Sequence, residues 1–292
     1  MHVVRYADAD DDVHIGLSDG LELREVAGVE RIADLLQLKL ADLRRLLGTA
    51  AARQPLRGEV RLLPPVDGHT EVWASGVTYE RSRQARMEES TEQSVYDRVY
   101  TADRPELFFK ALPWRVVTDG EPIGIRADSP LNVPEPELAV FVNSDGEIAG
   151  YGVCNDVSSR TIEGENPLYL PQAKVYAGSC ALATGIRPAW EVDPTRLEIA
   201  MEVRRGGRTC FEGRVSTATI RRSFADLVEH LFRGQPFPEG AVLATGTGIV
   251  PDLDFTLQHD DVVRISIDEV GELTNPVGSD HGWLVEALRS GR

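Results

Sequence analysis

Leu131-Asn132-Val133-Pro134-Glu135-Pro136-Glu137-Leu138-Ala139-Val140-Phe141-Val142-Asn143-Ser144-Asp145-Gly146-Glu147-Ile148-Ala149-Gly150-Tyr151-Gly152-Val153-Cys154-Asn155-Asp156 is the stretch that decides the fold. Two apolar runs flank Asp145-Gly146, a pair suited to a two-residue turn whose central positions take positive φ. The spacing predicts an antiparallel hairpin with partners placed symmetrically about that pair, so Glu135 lies opposite Asp156. Glu135 and Glu137 are two apart and point to one face of their strand. Directly opposed residues share a face as well, and three carboxylates therefore converge at the open end of the hairpin. Such crowding of like charge costs stability. A hard dication removes the conflict, and magnesium, manganese or calcium prefers oxygen ligands of this kind. Zinc does not fit, since no His or Cys cluster accompanies the acids. The plain alternative is three solvated acids at a strand end. Against it, Pro134 and Pro136 stiffen a segment that an ordinary surface edge leaves unstiffened.

Working outward, the 292 residues allow one large domain or two smaller ones, and 42% hydrophobic content suits a globular chain. No apolar run approaches the roughly 20 residues of a membrane span. The acidic start, MHVVRYADADDD, has no signal-peptide core, so a cytoplasmic protein is expected. The net charge of −16 repels nucleic acid and anionic membranes, so neither is expected as a partner. It also repels a carboxylate substrate unless a local positive centre, such as a metal ion, is present. Lys39, Lys110 and Lys174 are the only lysines, against 28 arginines, which suits a salt-loving or a high-GC host. Cys154, Cys180 and Cys210 are too scattered for a disulfide framework and read as reduced packing residues.

Residues 1–66 read as a small α/β domain. Strands are expected at His2–Tyr6 and Val13–Leu17. One amphipathic helix is expected over Gly28–Leu47, with Ile32, Leu35, Leu36, Leu40, Leu43 and Leu47 on its buried face. Arg61 to Val66 reads as an extended linker because of its prolines. Residues 67–292 read as a β-rich catalytic domain. Its expected strands are Val72–Ser75, Leu107–Ala111, Glu137–Val142, Ile148–Cys154, Glu198–Arg204 and Val262–Ile267. Its few helices are expected at Glu80–Ser90, just after Asp156, and at Phe224–Phe232. The fold class is α+β, rich in β.

With these residues in place, the sequence resembles the fumarylacetoacetate hydrolase family. The resemblance is carried by Pro134-Glu135-Pro136-Glu137-Leu138-Ala139, Gly150-Tyr151, Asn155-Asp156-Val157-Ser158-Ser159-Arg160, Lys174 and Gly246-Thr247. It continues through Asp260-Asp261 to Val277. It implies a mixed β-roll, with Glu135, Glu137 and Asp156 as ligands of Mg2+, or of Mn2+ or Ca2+. The segments Arg104–Ala111 and Glu165–Gly178 look like a branch that dehydrates 2-keto-3-deoxy-D-arabinonate, the same compound as 2-keto-3-deoxy-D-xylonate, to 2,5-dioxopentanoate. One departure matters. The hydrolases place a water-activating histidine just after the Tyr of Gly76-Val77-Thr78-Tyr79, whereas Ser82, Arg83, Gln84 and Ala85 follow here. That argues against C–C bond hydrolysis. The competing readings are an acylpyruvate-type hydrolase or decarboxylase of the same family, and a catalytically silent protein that binds metal or sugar acid.

Dehydration of a 2-keto acid needs a base at C3 and an acid for the C4 hydroxyl. Lys174 is the candidate base, because a lysine loses its proton where an arginine does not. Its alternative is an ion pair with a ligand carboxylate. Glu106 is the candidate acid or proton shuttle, or else a structural partner of Lys110 or Arg104. Thr247, in the Thr245-Gly246-Thr247-Gly248 turn, is a candidate donor to the substrate carboxylate, or part of a plain tight turn. Arg160 and Gln172 are candidates for the substrate hydroxyls, while Tyr79 and Phe109 read as packing residues. A homo-oligomer, dimer or tetramer, is expected from the resemblance and because β-rich edges need cover.

Overall fold

The computed structural model describes residues 1–89, 93–278 and 282. Pro136–Val142 and Ile148–Asp156 form the expected hairpin at the centre of a mixed sheet. From one edge the strands run Leu23–Glu25, Val13–Ser18, His2–Ala7, Gly185–Pro188, Ile148–Asp156, Pro136–Val142, Ala241–Ala244, Glu71–Gly76 and Glu106–Ala111. Cys180–Leu182 also pairs with Ile148–Asp156, and Arg61–Leu63 with His2–Ala7. A second sheet holds Arg208–Ser216, Glu198–Arg205, Val262–Ile267, Gly271–Gly278 and Ile123–Gly124. This is the β-rich α+β class that the alternation indicated.

Every residue of Pro136–Val142 is buried, because the strand has a core on each side. Leu138, Val140 and Val142 pack with Ile199, Val203 and Ile265 of the second sheet. Ala139 and Phe141 face the other way, among Val72, Ala74, Val3, Leu43 and Leu47. A strand with two buried faces reads as an unbroken apolar run, as this one does. The alternation then puts Glu137 on the side of Ala139 and Phe141, together with Cys154 and Asp156.

The turn differs from the expectation while the register agrees with it. Among Asp145 and Gly146, only Gly146 takes positive φ, at 80°. Asn143 builds the turn instead: its Oδ1 accepts the N–H groups of Asp145 at 3.1 Å and Glu147 at 2.8 Å. A bulge between Ile148 and Gly150 then shifts the pairing. Beyond it Tyr151 faces Val140 and Cys154 faces Glu137, and Asp156 donates its N–H to Glu135 O at 3.0 Å.

Other departures have local causes. The expected Gly28–Leu47 helix is two helices, Ile32–Leu35 and Leu40–Ala51. The Asp67 carboxylate takes the N–H groups of Ile32 and Ala33, both at 2.9 Å, and pins the first helix. Lys39 is extended (φ −63°, ψ 148°), and the break lets Leu35, Leu36, Leu43 and Leu47 all enter one core. Arg61–Leu63 is a strand on His2–Ala7 and not a linker; it stops before Pro64, which has no N–H to donate. His2–Ala7 in turn pairs with Gly185–Pro188, so the N-terminal strands extend the central sheet. The helix Glu80–Glu89 matches its expectation up to Ser90, which lies outside the described residues. The helix Gln93–Thr101 was not expected.

Candidate active site

Two strand ends and two turns meet at the open end of the hairpin. Pro136 has no N–H, and the preceding Glu135 N–H finds Asn155 Oδ1 at 3.1 Å instead of a ladder carbonyl. Glu137 is held by a third chain segment: Gly246 N–H donates to its Oε2 at 2.7 Å. Gly246 has φ +93°, and a Cβ there would collide with Thr78 Oγ1 and stand 2.9 Å from Ser75 O. Only glycine lets that N–H approach. One carboxylate oxygen from each of Glu135, Glu137 and Asp156 lies within 4.8 Å of the others. Glu137 and Asp156 are each 1% exposed.

Buried cations face these acids. Lys174 ends the short helix Leu170–Lys174, and its Nζ lies 2.7 Å from Glu135 Oε2, 3.1 Å from Asp156 Oδ2 and 2.6 Å from Ser158 Oγ. Lys110 Nζ is 2.5 Å from Asp156 Oδ1 on the other side. Arg86 pairs with the buried Glu163 and comes within 3.6 Å of Glu135 Oε1. Burial pushes the Glu137 carboxyl well above the usual range, and the charges of Asp156 and Glu135 add to it. Burial acts the same way on Asp156, but Lys110 and Lys174 outweigh it and hold the group low. For Lys174 burial favours the neutral amine, yet Asp156 and Glu135 prevail and raise its pKa. Burial, reinforced by Glu135 and Asp156, raises Glu106 against the pull of Arg86 and Lys174. The donor set is all carboxylate oxygen, compact and largely shielded from water, which fits a hard divalent ion.

The cleft beside the triad is lined by Arg160, Lys174 and Thr247 among the expected residues. The Arg160 guanidinium donates to Pro251 O at 2.7 Å. Thr247 Oγ1 bonds within its own turn, to Ile249 O and from Ile249 N, both at 3.2 Å. Glu106 is half-buried behind Gly76, where its carboxylate leaves no room for a Cβ. Gln172 is exposed and is not among the lining residues. Tyr79 is buried, and Phe109 stacks edge-on against Trp73. Cys154 and Cys180 are buried and free, but Cys210 is exposed and not a packing residue. Lys110, Arg86, Glu163 and Ser158 also belong to the site and were not foreseen. The one sequence signal for Lys110 was the rarity of lysine.

The family model described as fumarylacetoacetate (FAA) hydrolase C-terminal matches residues 71–278. A 2-dehydro-3-deoxy-D-arabinonate dehydratase of Saccharolobus solfataricus is 45% identical over 224 residues, 75% of each chain. A probable 2-keto-3-deoxyxylonate dehydratase of Haloferax volcanii is 50% identical over 214 residues, 73% of each chain. Among solved structures, 2-keto-3-deoxy-D-arabinonate dehydratase complexed with magnesium and 2,5-dioxopentanoate superposes with a TM-score of 0.82 at 35% identity. That match covers 96% of this chain and 99% of the other. No helix among the described residues is long and apolar enough to cross a membrane.

Proposed function

The chain belongs to the fumarylacetoacetate hydrolase family, and on that footing we propose that it is a hydro-lyase that dehydrates 2-keto-3-deoxy-D-arabinonate, or 2-keto-3-deoxy-D-xylonate under its xylose-derived name. The product is 2,5-dioxopentanoate, as in pentose degradation. The observation that carries the reading is Lys174 Nζ seated between two of three converging carboxylates, 2.7 Å from Glu135 and 3.1 Å from Asp156.

We assign Glu135, Glu137 and Asp156 to hold Mg2+, which when bound supplies Lewis-acid polarisation of the 2-oxo group. Mn2+ or Ca2+ has the same ligand preference. Thr247, beside the Gly246 turn, is assigned to the substrate carboxylate, for which its hydroxyl would exchange its Ile249 partners. Arg160, with Gln172 from outside the lining, takes the substrate hydroxyls. Lys174 accepts the C3 proton, and Glu106 gives a proton to the C4 hydroxyl as it leaves. The C3–H and C4–O bonds break, a C3–C4 double bond forms, and one water departs. Loss of a C5 proton and return of one to C3 give an enol across C4 and C5. Protonation at C4 with loss of the enol O–H proton completes the aldehyde.

The helix Glu80–Glu89 supports dehydration over hydrolysis. It turns Ser82, Ala85 and Arg86 to the cleft, and a guanidinium keeps its proton and cannot activate water. The free cysteines suit a reducing cytoplasm, and a dimer or tetramer is part of the same proposal. The test is proton NMR of purified protein with Mg2+ and racemic 2-keto-3-deoxypentonate. The aldehyde signal of the product is expected, with EDTA abolishing it and Mg2+ or Mn2+ restoring it. Full turnover in rigorously metal-free protein, or release of carbon dioxide in place of water, sinks the reading. Light scattering that finds a 32.1 kDa particle at micromolar concentration sinks the oligomer.

A further inference from the structure

Lys110 is one of three lysines, and its side chain is fully buried. A buried ammonium is costly unless acceptors surround it. Two backbone carbonyls accept from it here, Lys174 O at 2.5 Å and Val157 O at 3.1 Å, and Asp156 Oδ1 lies 2.5 Å away as its counter-ion. Lys110 comes from the strand Glu106–Ala111, while its acceptors come from the end of the hairpin and from the last residue of the Leu170–Lys174 helix. One ammonium thus joins the backbone that launches the Lys174 side chain to the carboxylate that this side chain meets. Asp156 is gripped from both sides, Oδ1 by Lys110 and Oδ2 by Lys174. Lys110 does not itself line the cleft.

We propose that Lys110 is a positioning residue that fixes the orientation of Asp156 toward a divalent ion and the starting point of the Lys174 side chain. The inference rests on the reading of Glu135, Glu137 and Asp156 as metal ligands. A compact ammonium serves two carbonyls and a carboxylate counter-ion in a closed space; a planar guanidinium fork does not. That requirement accounts for a lysine here in a chain that otherwise uses arginine. A partner that orients a ligand typically contributes about 10–100-fold to metal affinity.

The test uses metal-stripped full-length protein. Labelled with 15N at lysine, the parent has three ammonium groups, and Lys39 is exposed. On titration with Mg2+ the Lys110 and Lys174 signals are expected to move and the Lys39 signal to stay. A Lys110 signal that stays while that of Lys174 moves overturns the proposal. Calorimetry of Lys110→Met is expected to give Mg2+ binding weaker by about 10–100-fold, with Lys110→Arg failing to restore it. A lowered melting temperature in EDTA with parental or tighter Mg2+ affinity leaves Lys110 a packing residue and overturns the proposal. Should the variants not fold, the labelled parent decides alone. A parent that binds no Mg2+ removes the metal reading, and this inference with it.

Discussion

Lys174 carries the sharpest prediction at the scale of a single residue. Without an ion it is held charged by Asp156 and Glu135, which outweigh its burial. A dication on those carboxylates reverses the balance and favours the neutral amine that a base requires. Lys174→Met is expected to lower kcat by about 10²–10⁴-fold, and Lys174→Arg is expected not to rescue it. A Lys174→Arg enzyme with near-parental kcat would return the base role to another group. Glu106 is raised by burial, so it keeps its proton to higher pH than an ordinary glutamate. Its acid function is then present below the raised value and lost as pH rises through it. Stability follows the same sign: the Glu106 contribution is full below the ordinary carboxylate pKa and declines toward the raised one. Glu106→Gln should cost about 10²–10⁴-fold in rate. Paired pH–rate and pH–denaturation curves that keep the parent's alkaline fall in this variant would refute the assignment. The carboxylates were legible because strand alternation converts a spacing of two into a shared face. Lys110 was not, since its two acceptors are backbone carbonyls, of Val157 and Lys174, which leave no side-chain signal.

At the scale of elements, the Thr245-Gly246 turn holds Glu137 through one backbone N–H. Gly246→Ala would force a Cβ against Thr78 Oγ1 at a φ of +93°, a strain on the order of 1–3 kcal/mol. The expected outcome is a lower melting temperature together with weaker Mg2+ binding, because relief of the clash withdraws the N–H from Glu137. Parental calorimetry for Mg2+ in this variant would separate the turn from the ligand. The hairpin was legible as a hairpin, but its turn was not. Asp145-Gly146 marks where the chain reverses. The geometry is settled by Asn143, whose side chain competes for the turn N–H groups, and the bulge after Ile148 absorbs the difference. The split of the first helical region was hidden for a similar reason. Its apolar spacing is continuous; Asp67, which is distant in sequence, sets where the first helix begins by capping Ile32 and Ala33, and the extended Lys39 separates it from the second.

At the scale of the molecule, the site stands on a sheet whose two faces are covered by different parts of the chain. The second sheet covers the Leu138, Val140 and Val142 face. Residues before position 67 cover much of the other, through Ile32, Leu35, Leu36, Leu43 and Leu47 with Val3, Ile15 and Leu17. Each such side chain contributes about 1.5–3 kcal/mol when buried, and whole-protein stability is only about 5–15 kcal/mol. Removing residues 1–66 would therefore strip more apolar cover than the remaining fold can lose. It would also free the Gly185–Pro188 edge that His2–Ala7 now pairs, an invitation to aggregation. The triad lies on that same uncovered side, with Ala139, Phe141 and Cys154 as its neighbours along the strands. A chain of residues 67–292 is expected to be insoluble or to bind hydrophobic dye, and to bind no Mg2+. Supplying residues 1–66 as a separate chain during refolding is expected to recover part of the Mg2+ binding. A soluble 67–292 chain with a cooperative thermal transition and parental Mg2+ affinity would show that the catalytic sheet carries its own cover.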